Sequence, residues 1–371
     1  MAGKRTLHLL WGGIKAGLRQ PWLAWRRRRG LLVKPLFLDY AVTWRCNARC
    51  RMCDTWRRPA EHPRTGESEL SPGELDAILA RDAGFLDAVE KVGLTGGEPF
   101  LRSDLVELVR VLHRHLPRAR LSLVSNGLLT ERILAALEEI RSFFPGLTFS
   151  VSLDGLAELH DRVRGVPGAF QRALATMRGA LALGFTVTSG LTITPHNYHQ
   201  IGPVSRLLAE MGVDFSCNLQ EQGANFNNQG RDVGLDARQR AEVLRQLEPF
   251  AHHYYMDNLR QQLLGKPRNL PCYAGFTSYF LSPFGEVCVC NLIGTPLGNL
   301  RERPFARIAD HPRSWRLRRR LADCTCWSQC EVKKSAAVAP WSILAWLARN
   351  PRKGEFLRHY TAKSRLWVRG R

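Results

Sequence analysis

The sequence predicts an α/β fold in which a parallel sheet, closed or partly closed as a barrel, is followed by a small cysteine-bearing domain. Three observations carry this prediction. Short apolar runs alternate with helical patterns over residues 36–217, an order typical of parallel strands with helices outside. Polar residues and glycine recur where these runs end, at the edge where such barrels place their sites. Six of the ten cysteines lie after residue 270.

Each predicted element has its own sequence signal. Strands are predicted from β-type apolar runs, at residues 36–42, 91–94, 121–124, 147–151, 186–193 and 213–217. Helices are predicted from apolar periodicity and start signals, from Ser71-Pro72, over 104–115, from 131, and over 170–183, 199–211 and 236–264. A β-hairpin with its turn at Pro283–Gly285 follows. The sequence therefore predicts six strand–helix repeats before the second cysteine group.

Composition limits the class of protein. The chain has 371 residues and 44% hydrophobic content, which supports a substantial core. The apolar stretch 7–14 is short and interrupted by Gly12-Gly13, so it does not predict a signal peptide. Clustered cysteines in a chain of cytosolic type indicate metal sites instead of disulfides. No run of 18 apolar residues predicts a membrane-spanning helix. We therefore expect a cytoplasmic protein.

The first cysteine group, Cys46, Cys50 and Cys53, has the spacing C-x3-C-x2-C and directly follows the first predicted strand. Thiolates are soft ligands that suit iron–sulfur clusters or zinc. A structural zinc site uses four ligands, whereas three cysteines on a cluster leave one iron open to a small molecule. The alternatives are a zinc knuckle or three unrelated cysteines.

This loop resembles the cluster loop of the radical S-adenosylmethionine (SAM) superfamily. The resemblance implies a partial (β/α)6 barrel and a 4Fe–4S cluster on Cys46, Cys50 and Cys53, whose open iron binds SAM. It also implies reductive cleavage of SAM to a 5′-deoxyadenosyl radical, which abstracts hydrogen from a substrate C–H bond. An electron donor such as flavodoxin or ferredoxin would be a partner.

Further motifs support the same resemblance. Gly96-Gly97-Glu98-Pro99 follows a predicted strand and is similar to the family's GGEP motif, which holds the methionine amino group of SAM. Asn126 and Ser152 end the next two strands and fit the ribose and carboxylate contacts, and Arg164 is placed to reach the carboxylate. These residue types are also common in turns. The residues expected to bind SAM are Met52, Gly96, Gly97, Glu98, Asn126, Ser152 and Arg164.

The second cysteine group resembles the opening half of the SPASM/twitch extension of radical SAM enzymes. The resemblance rests on Cys272-x12-Gly285-x4-Cys290, and three more cysteines complete the group. Too few cysteines are present for two auxiliary clusters, which favours a single auxiliary 4Fe–4S cluster. A four-cysteine structural zinc is the alternative. The expected ligands are Cys272, Cys290, Cys326 and Cys330, with Cys324 and Cys288 as substitutes.

The net charge of +21 is concentrated at the two ends. Residues 1–45 and residues 331–371 each contain ten Lys or Arg, and together they hold seven of the ten tryptophans. Basic, Trp-bearing amphipathic helices are typical of elements that lie on anionic membranes. The alternative is packing against the protein's own barrel. The predicted divisions are a basic extension (1–35), the barrel (36–235), a helical linker with the auxiliary cluster domain (236–330) and a second basic extension (331–371).

The substrate is open among three classes. The Trp-rich basic ends favour a membrane lipid or lipid-linked group, with the enzyme at the inner face of the membrane. A peptide or protein side chain is the alternative, since it is the commonest substrate of SPASM enzymes. RNA is suggested by charge alone, and that charge lies outside any recognisable RNA-binding module, so nucleic acid is disfavoured as a partner. A non-catalytic iron–sulfur protein would leave the GGEP motif unexplained.

Overall fold

The computed structural model describes residues 17–58, 68–356 and 358. The described residues form a nine-stranded sheet in the order β6-β5-β4-β3-β2-β1-β7-β8-β9. The apolar stretch 7–14 and the basic tail beyond residue 358 lie outside the described residues. The strands are β1 Phe37–Thr43, β2 Lys91–Gly96, β3 Arg120–Ser125, β4 Thr148–Ser152, β5 Thr186–Ile193, β6 Asp214–Leu219, β7 Ser278–Leu281, β8 Glu286–Cys288 and β9 Gly298–Asn299.

Helices connect the first six strands and continue after them. Residues 17–28 are helical (α1). The others are α2 Pro72–Arg81, α3 Ala83–Leu86, α4 Leu105–His115, α5 Thr130–Phe143, α6 Ala157–Arg164, α7 Ala169–Ala182, α8 Ile201–Glu210, α9 Ala237–Leu247, α10 Tyr254–Leu263, α11 Phe305–Ala309, α12 Pro312–Arg320, α13 Gln329–Val338 and α14 Pro340–Arg349.

Strands β1 to β6 pair in sequence order and are all parallel. This confirms the predicted α/β class. Within the described ranges β6 has no pairing with β1, so the barrel is open on that side. In β4, Phe149 and Val151 are buried, whereas Ser150 and Ser152 on the other face are half-buried. The period of two therefore places apolar side chains toward the core and polar side chains toward the barrel interior.

The start of α2 shows how local sequence fixes an element. Ser71 is the N-cap, and its hydroxyl accepts from the Glu74 backbone N–H. The Glu74 carboxylate in turn accepts from the Ser71 backbone N–H at 2.9 Å. Pro72 occupies the first helical position, where no backbone donor is needed. This reciprocal capping box confirms the predicted helix start at Ser71-Pro72.

The predicted hairpin is present, but its strands extend the barrel sheet. Strand β7 pairs in parallel with β1, with Phe37 opposite Ser278 and Tyr40 opposite Leu281, and β8 returns antiparallel to β7. Sequence patterns do not report pairing between segments this far apart in the chain. The free edge of β1 is therefore covered by the cysteine-bearing region, and both regions share one sheet.

Helix α13 is tied to the barrel by a buried charge network. Lys334 Nζ lies 2.5 Å from Asp39 Oδ2 of β1 and 3.1 Å from Glu331 Oε1. The second Glu331 oxygen accepts from Ser278 Oγ of β7 at 2.6 Å. Burying one of these charges alone would cost free energy, so Lys334, Asp39 and Glu331 stabilise the fold only together.

Both terminal helices pack on the protein with one face and expose the other. Leu23 of α1 is buried, and Arg27 Nε donates to the Cys272 carbonyl at 2.7 Å. In α14, Trp346 is buried and its Nε1 donates to Asp257 Oδ2 at 2.8 Å. Among the helices that the structure describes, none is long and apolar enough to cross a bilayer.

Candidate active site

A cleft that is partly open to solvent lies at the carboxyl ends of β2 to β6. Thr95, Ser125, Ser152, Thr192 and Asn218 each reach it from a different strand. The parallel order explains this convergence, because the carboxyl ends of all six strands meet at one edge. The cleft brings together nine of the predicted site residues: Cys46, Cys50, Met52, Cys53, Gly96, Gly97, Asn126, Ser152 and Arg164.

Backbone hydrogen bonds fix the loop that carries the three cysteines. Its entrance is bound by the turn after β2, where the Gly97 N–H donates to the Thr43 carbonyl at 2.8 Å. Its middle is bound by α6, where the Arg49 N–H donates to the Arg164 carbonyl at 2.9 Å. Its exit is bound by the loop after β6, where Thr55 Oγ1 donates to the Asn225 carbonyl at 2.9 Å. The cysteines are therefore positioned by three separate parts of the barrel.

Gly96 and Gly97 are required by the close approach of this loop. A Cβ at Gly96 would lie 2.2 Å from the Thr43 carbonyl oxygen, and one at Gly97 would lie 2.1 Å from the Arg45 carbonyl oxygen. Gly96 also has a φ of +133°, which L side chains rarely adopt. The glycines expected to approach a ligand thus also allow the cluster loop to lie against β2.

Glu98 lies behind the cleft wall and is fully buried. Its Oε1 accepts from Ser125 Oγ at 2.9 Å, and its Oε2 accepts from the Asn126 backbone N–H at 2.7 Å. Burial raises the pKa of Glu98 to about 7, against the opposing effect of these hydrogen bonds. The structure shows Glu98 holding the turn after β3, and its contact with the SAM ammonium stays a prediction.

Arg164 sits between a carboxylate and a cluster cysteine. Its Nη2 lies 2.7 Å from Asp154 Oδ2, and its Nη1 lies 3.7 Å from Cys50 Sγ. Its Nε is buried and has no hydrogen-bond partner among the described residues, and the residue lines the cleft. Asp154 is fixed in turn by the Thr192 N–H, which donates to its Oδ1 at 2.8 Å. This arrangement fits a ligand carboxylate next to the cluster loop.

The three cysteines of the loop fit an iron–sulfur cluster. Burial raises the pKa of Cys46 to about 12 and that of Cys50 to about 11, while the Arg164 guanidinium opposes the rise at Cys50. Thiolates bind metal only after losing the proton. Iron bound by these cysteines would favour the thiolate form, because a bound metal ion stabilises the deprotonated sulfur. Soft donors at one end of the cleft and polar side chains at the other fit a cluster with SAM bound beside it.

The structure divides the second cysteine group. Cys324 Sγ lies 3.4 Å from Cys326 Sγ, and the Cys324 side chain also hydrogen-bonds with Cys272. Cys290 interacts electrostatically with Cys324. Cys330, by contrast, is exposed and interacts electrostatically with Asp39 and Lys334. Cys288 lies apart, packed with Ala41, Trp44 and Phe280. These interactions favour Cys324, one of the expected substitutes, as a ligand beside Cys272, Cys290 and Cys326, and the ligand set stays a prediction.

Buried donors beside these cysteines have no protein partner. Arg268 Nη1 donates to the Cys326 carbonyl at 2.5 Å, but its Nε and Nη2 are buried and unpaired. Such donors fit the sulfurs of a bound cluster, which accept hydrogen bonds. Within the described ranges, no three His, Cys, Asp or Glu side chains meet at the spacing of one metal ion. Cluster cysteines bind different irons, so their sulfurs need not converge on a single point.

Sequence analysis missed the loop that follows β6. Gln220, Glu221, Asn225 and Phe226 line the cleft from this loop. Asn218, at the end of β6, had the strand-end signal used for Asn126 and Ser152, but the loop itself contains no motif. Glu221 also accepts a hydrogen bond from Ser328, next to Cys326, and burial raises its pKa to about 7. The cleft therefore borders the second cysteine group.

Cys217 is buried against Met256, as expected.

The fold and the two cysteine groups define a class of protein. Residues 40–208 match the radical SAM superfamily, and residues 272–331 match the SPASM iron–sulfur cluster-binding domain. The chain is a radical SAM enzyme with a SPASM-type region. Its cofactors are SAM, the 4Fe–4S cluster that binds SAM, and auxiliary iron–sulfur clusters.

Named relatives fall into two groups. The chain is 28% identical to the AdoMet-dependent heme synthase of Methanosarcina barkeri, over 76% of this chain and 84% of the relative. It is 32% identical to the Fe-coproporphyrin III synthase of the same organism, over 56% of this chain and only half of that relative's length. It is 25% identical to AlbA of Bacillus subtilis, a biosynthesis protein of the antilisterial bacteriocin subtilosin, over 75% of this chain and 60% of the relative.

A solved structure shares the fold. The anSMEcpe structure with bound AdoMet has a TM-score of 0.59 and 16% identity, and it covers 84% of this chain and 99% of its own. At this identity the likeness supports the architecture, a partial radical SAM barrel followed by a SPASM region.

Proposed function

We propose that this enzyme carries out a radical oxidation of a peptide or protein substrate, with its auxiliary cluster as the electron acceptor. The observation that carries the proposal is Glu221. Its side chain lines the SAM cleft and also binds Ser328, which lies between Cys326 and Cys330. A substrate in the cleft would therefore lie against the auxiliary site, and an electron leaving that substrate would have a nearby acceptor.

The cluster at Cys46, Cys50 and Cys53, when bound, supplies the electron that cleaves SAM to methionine and a 5′-deoxyadenosyl radical. The protein's part is binding and orientation. Arg164, in the cleft wall, would bind the methionine carboxylate, and the Gly96-Gly97 turn would give the methionine amino group access to backbone. Met52 offers an apolar contact for the adenine. The loop from Gln220 to Phe226 limits the access of water to the reacting carbon.

Glu221 has a separate role in the proposed oxidation. A substrate carbon that has lost a hydrogen atom must lose one electron and one proton to reach a two-electron oxidised product. An auxiliary cluster bound at the second cysteine group would accept the electron, and Glu221 would take the proton. Because its pKa is raised to about 7, Glu221 can exchange a proton near neutral pH.

The cleft favours a peptide over a lipid or a tetrapyrrole. Its wall is rich in amide and hydroxyl side chains that can hydrogen-bond to peptide groups, among them Thr95, Asn126, Thr192, Asn218, Gln220 and Asn225. Among the described residues of the wall, Arg164 is the one Lys or Arg, and Asp154 already neutralises it. Several substrate carboxylates would need more cations. The relatives also include peptide maturases.

A tetrapyrrole is the second candidate, because the heme synthase of M. barkeri is matched over 84% of its length. Lipid-linked groups are the third.

The anaerobic holoenzyme should be incubated with SAM, a strong reductant and one of three fractions from cells grown in D2O: peptides and proteins, tetrapyrroles, or lipids. Transfer of deuterium into 5′-deoxyadenosine identifies the substrate fraction. We expect it from the peptide fraction, and transfer from only the lipid or only the tetrapyrrole fraction would refute this choice.

The proposal includes location and partners. Flavodoxin or ferredoxin would supply the electron, which places the enzyme in the cytoplasm. The basic, Trp-bearing helices at both ends of the described chain favour peripheral attachment to the inner face of the membrane. Nucleic acid has no part in the proposal.

A further inference from the structure

We propose that α1, Trp315 and α14 together form one membrane-docking face, which binds an anionic bilayer and holds the SAM cleft away from it. This inference rests on the proposed location and is independent of the proposed chemistry. The face, named here the tryptophan face, consists of Leu18, Trp22, Trp25, Leu31, Trp315, Trp341 and Leu344.

Exposure of large apolar side chains is concentrated on this face. Among the described residues, nine large hydrophobic side chains are exposed, and seven of them belong to the tryptophan face. Leu18 is 75% exposed, Trp341 is 55% exposed and Trp22 is 48% exposed. Single exposed apolar residues are ordinary on a protein surface, but a contiguous group marks an interaction site.

Hydrogen bonds make the face continuous. Trp341 Nε1 of α14 donates to the Gly17 carbonyl at 3.1 Å, at the described start of α1. At the other end, Trp315 Nε1 donates to the Arg29 carbonyl at 3.4 Å, just after α1. Helix α1 is therefore flanked by one exposed tryptophan at each end.

The exposed stripe is distinct from the side with which each helix packs on the described part of the protein. Leu18, Trp22 and Trp25 follow one side of α1 at helical spacing, whereas the opposite side carries the buried Leu23. In α14 the exposed Trp341 and Leu344 likewise oppose the buried Trp346. Each helix already has its packing side, so the second apolar side is available for another surface.

Charge identifies that surface as an anionic membrane. The Arg26 guanidinium lies 5.1 Å from the Trp22 ring centroid, and Arg29 lies 4.8 Å from that of Trp25. Arg319 lies 4.8 Å from the Trp315 ring centroid. Aromatic rings at headgroup depth with arginines beside them are typical of proteins that lie in the bilayer interface. A second copy of this face would instead bring like charges together.

The position of α1 fixes the orientation of the bound enzyme. Arg19 pairs at 3.0 Å with Glu90, the residue before β2, and Arg27 binds the carbonyl of Cys272, which precedes β7. The tryptophan face therefore lies where the parallel strands begin, and the cleft lies where they end. At about 3.3 Å per residue, a six-residue strand separates the two by roughly 20 Å. The cleft then receives substrate from the aqueous side.

Sedimentation with vesicles tests the face. The anaerobic holoenzyme should pellet with phosphatidylglycerol-containing vesicles and not with phosphatidylcholine alone. Trp22→Ala with Trp25→Ala should abolish the salt-resistant part of binding, whereas Leu264→Ala, at another exposed leucine, should not. Arg28→Ala with Arg29→Ala should weaken binding roughly thirtyfold. The matched control is Arg132→Ala with Arg178→Ala, at two arginines that are exposed on barrel helices. This control should weaken vesicle binding much less.

Hydrogen exchange tests the orientation. Vesicles should protect backbone amides in residues 17–30 and 340–349 and leave residues 220–226 at the cleft unchanged. Protection of 220–226 instead would overturn the orientation. Absence of vesicle binding at low salt would overturn the membrane assignment, as would a dimer that Trp22→Ala with Trp25→Ala dissociates. SAM cleavage measured without vesicles should be normal in all these variants, so a failure of the proposed chemistry is recognised separately.

Discussion

Arg164 and Asp154 form a buried ion pair at the carboxyl end of β4, with 2.7 Å between Nη2 and Oδ2. Two motifs that look independent in sequence, Ser152-Leu153-Asp154-Gly155 and the segment ending in Arg164-Gly165, are joined by this contact. Since the same guanidinium also reaches Cys50, the pair connects the strand ends to the cluster loop.

Removing one partner of the pair should be strongly destabilising. Arg164→Leu leaves the Asp154 carboxylate buried without its counter-charge, so we expect a loss of about 3–5 kcal/mol in the free energy of unfolding. Arg164→Leu with Asp154→Asn removes both charges and keeps an acceptor for the Thr192 N–H, so it should recover much of that loss. Thermal or denaturant unfolding of the two variants measures the difference. A double variant no more stable than the single one would contradict the pairing. SAM binding should stay weak in both variants.

Iron content tests the division into two cluster sites. Anaerobically reconstituted protein should hold about eight iron atoms per chain, and Cys46→Ala with Cys50→Ala and Cys53→Ala should reduce this to about four. Cys217→Ser is the matched control, because Cys217 is buried among apolar side chains, and it should leave the iron content unchanged. Four iron atoms together with zinc in the unaltered protein would contradict the auxiliary cluster.

Single cysteine variants distinguish the auxiliary ligands. Cys272→Ala, Cys324→Ala or Cys326→Ala should remove the auxiliary cluster signal from electron paramagnetic resonance spectra and leave 5′-deoxyadenosine formation in place. Cys330→Ala and Cys288→Ala should keep that signal, because neither thiol lies with the others. Loss of the cluster in Cys330→Ala would support Cys330 as a ligand, as expected from sequence. In every variant that lacks the auxiliary cluster, substrate oxidation should stop.

The pH dependence of stability should carry a contribution from His160. This side chain is fully buried, its Nδ1 accepts from the Asp154 N–H at 3.0 Å, and burial lowers its pKa to about 3 from 6.5. Below pH 6.5 the unfolded chain therefore binds a proton that the folded chain does not. Stability falls by about 1.4 kcal/mol per pH unit from this group as the pH drops from 6.5 toward 3.

His160→Asn is the variant that isolates this contribution, since its amide oxygen can accept from the Asp154 N–H without titrating. Between pH 7 and 5, the free energy of unfolding measured with denaturant should fall less steeply for the variant than for the unaltered protein. Equal slopes for the two proteins would mean that His160 is protonated in the folded state.

The sequence predicted the barrel and the cluster loop because their signals are local. Strand β4, the capping box at Ser71 and the three cysteines within residues 46–53 are each specified within a few residues of chain. The pairing of β7 with β1 has no such signal, because its two strands lie far apart in the chain. Glu221 was missed for a related reason: its role depends on contact with Ser328, which folding alone brings near.

The ligands of the auxiliary cluster also depend on contacts that local sequence does not report. The ligand set expected from the resemblance contained Cys330 and kept Cys324 as a substitute. The turn Leu321–Asp323 before Cys324 and the attachment of α13 to Asp39 direct the two thiols to different places. The direction in which each thiol points depends on tertiary packing, and the spacing of the cysteines in the sequence does not determine it.

The ladder between β1 and β7 has a mechanical consequence for the enzyme. A hinge between the barrel and the SPASM region would have to break backbone hydrogen bonds within a shared sheet, so the two cluster sites keep a fixed separation during turnover. Cutting the chain before β7 would also uncover a long inner strand whose exposed edge can pair with other molecules. The barrel should therefore aggregate when produced without residues 266–356, and the two halves are one folding unit in practice.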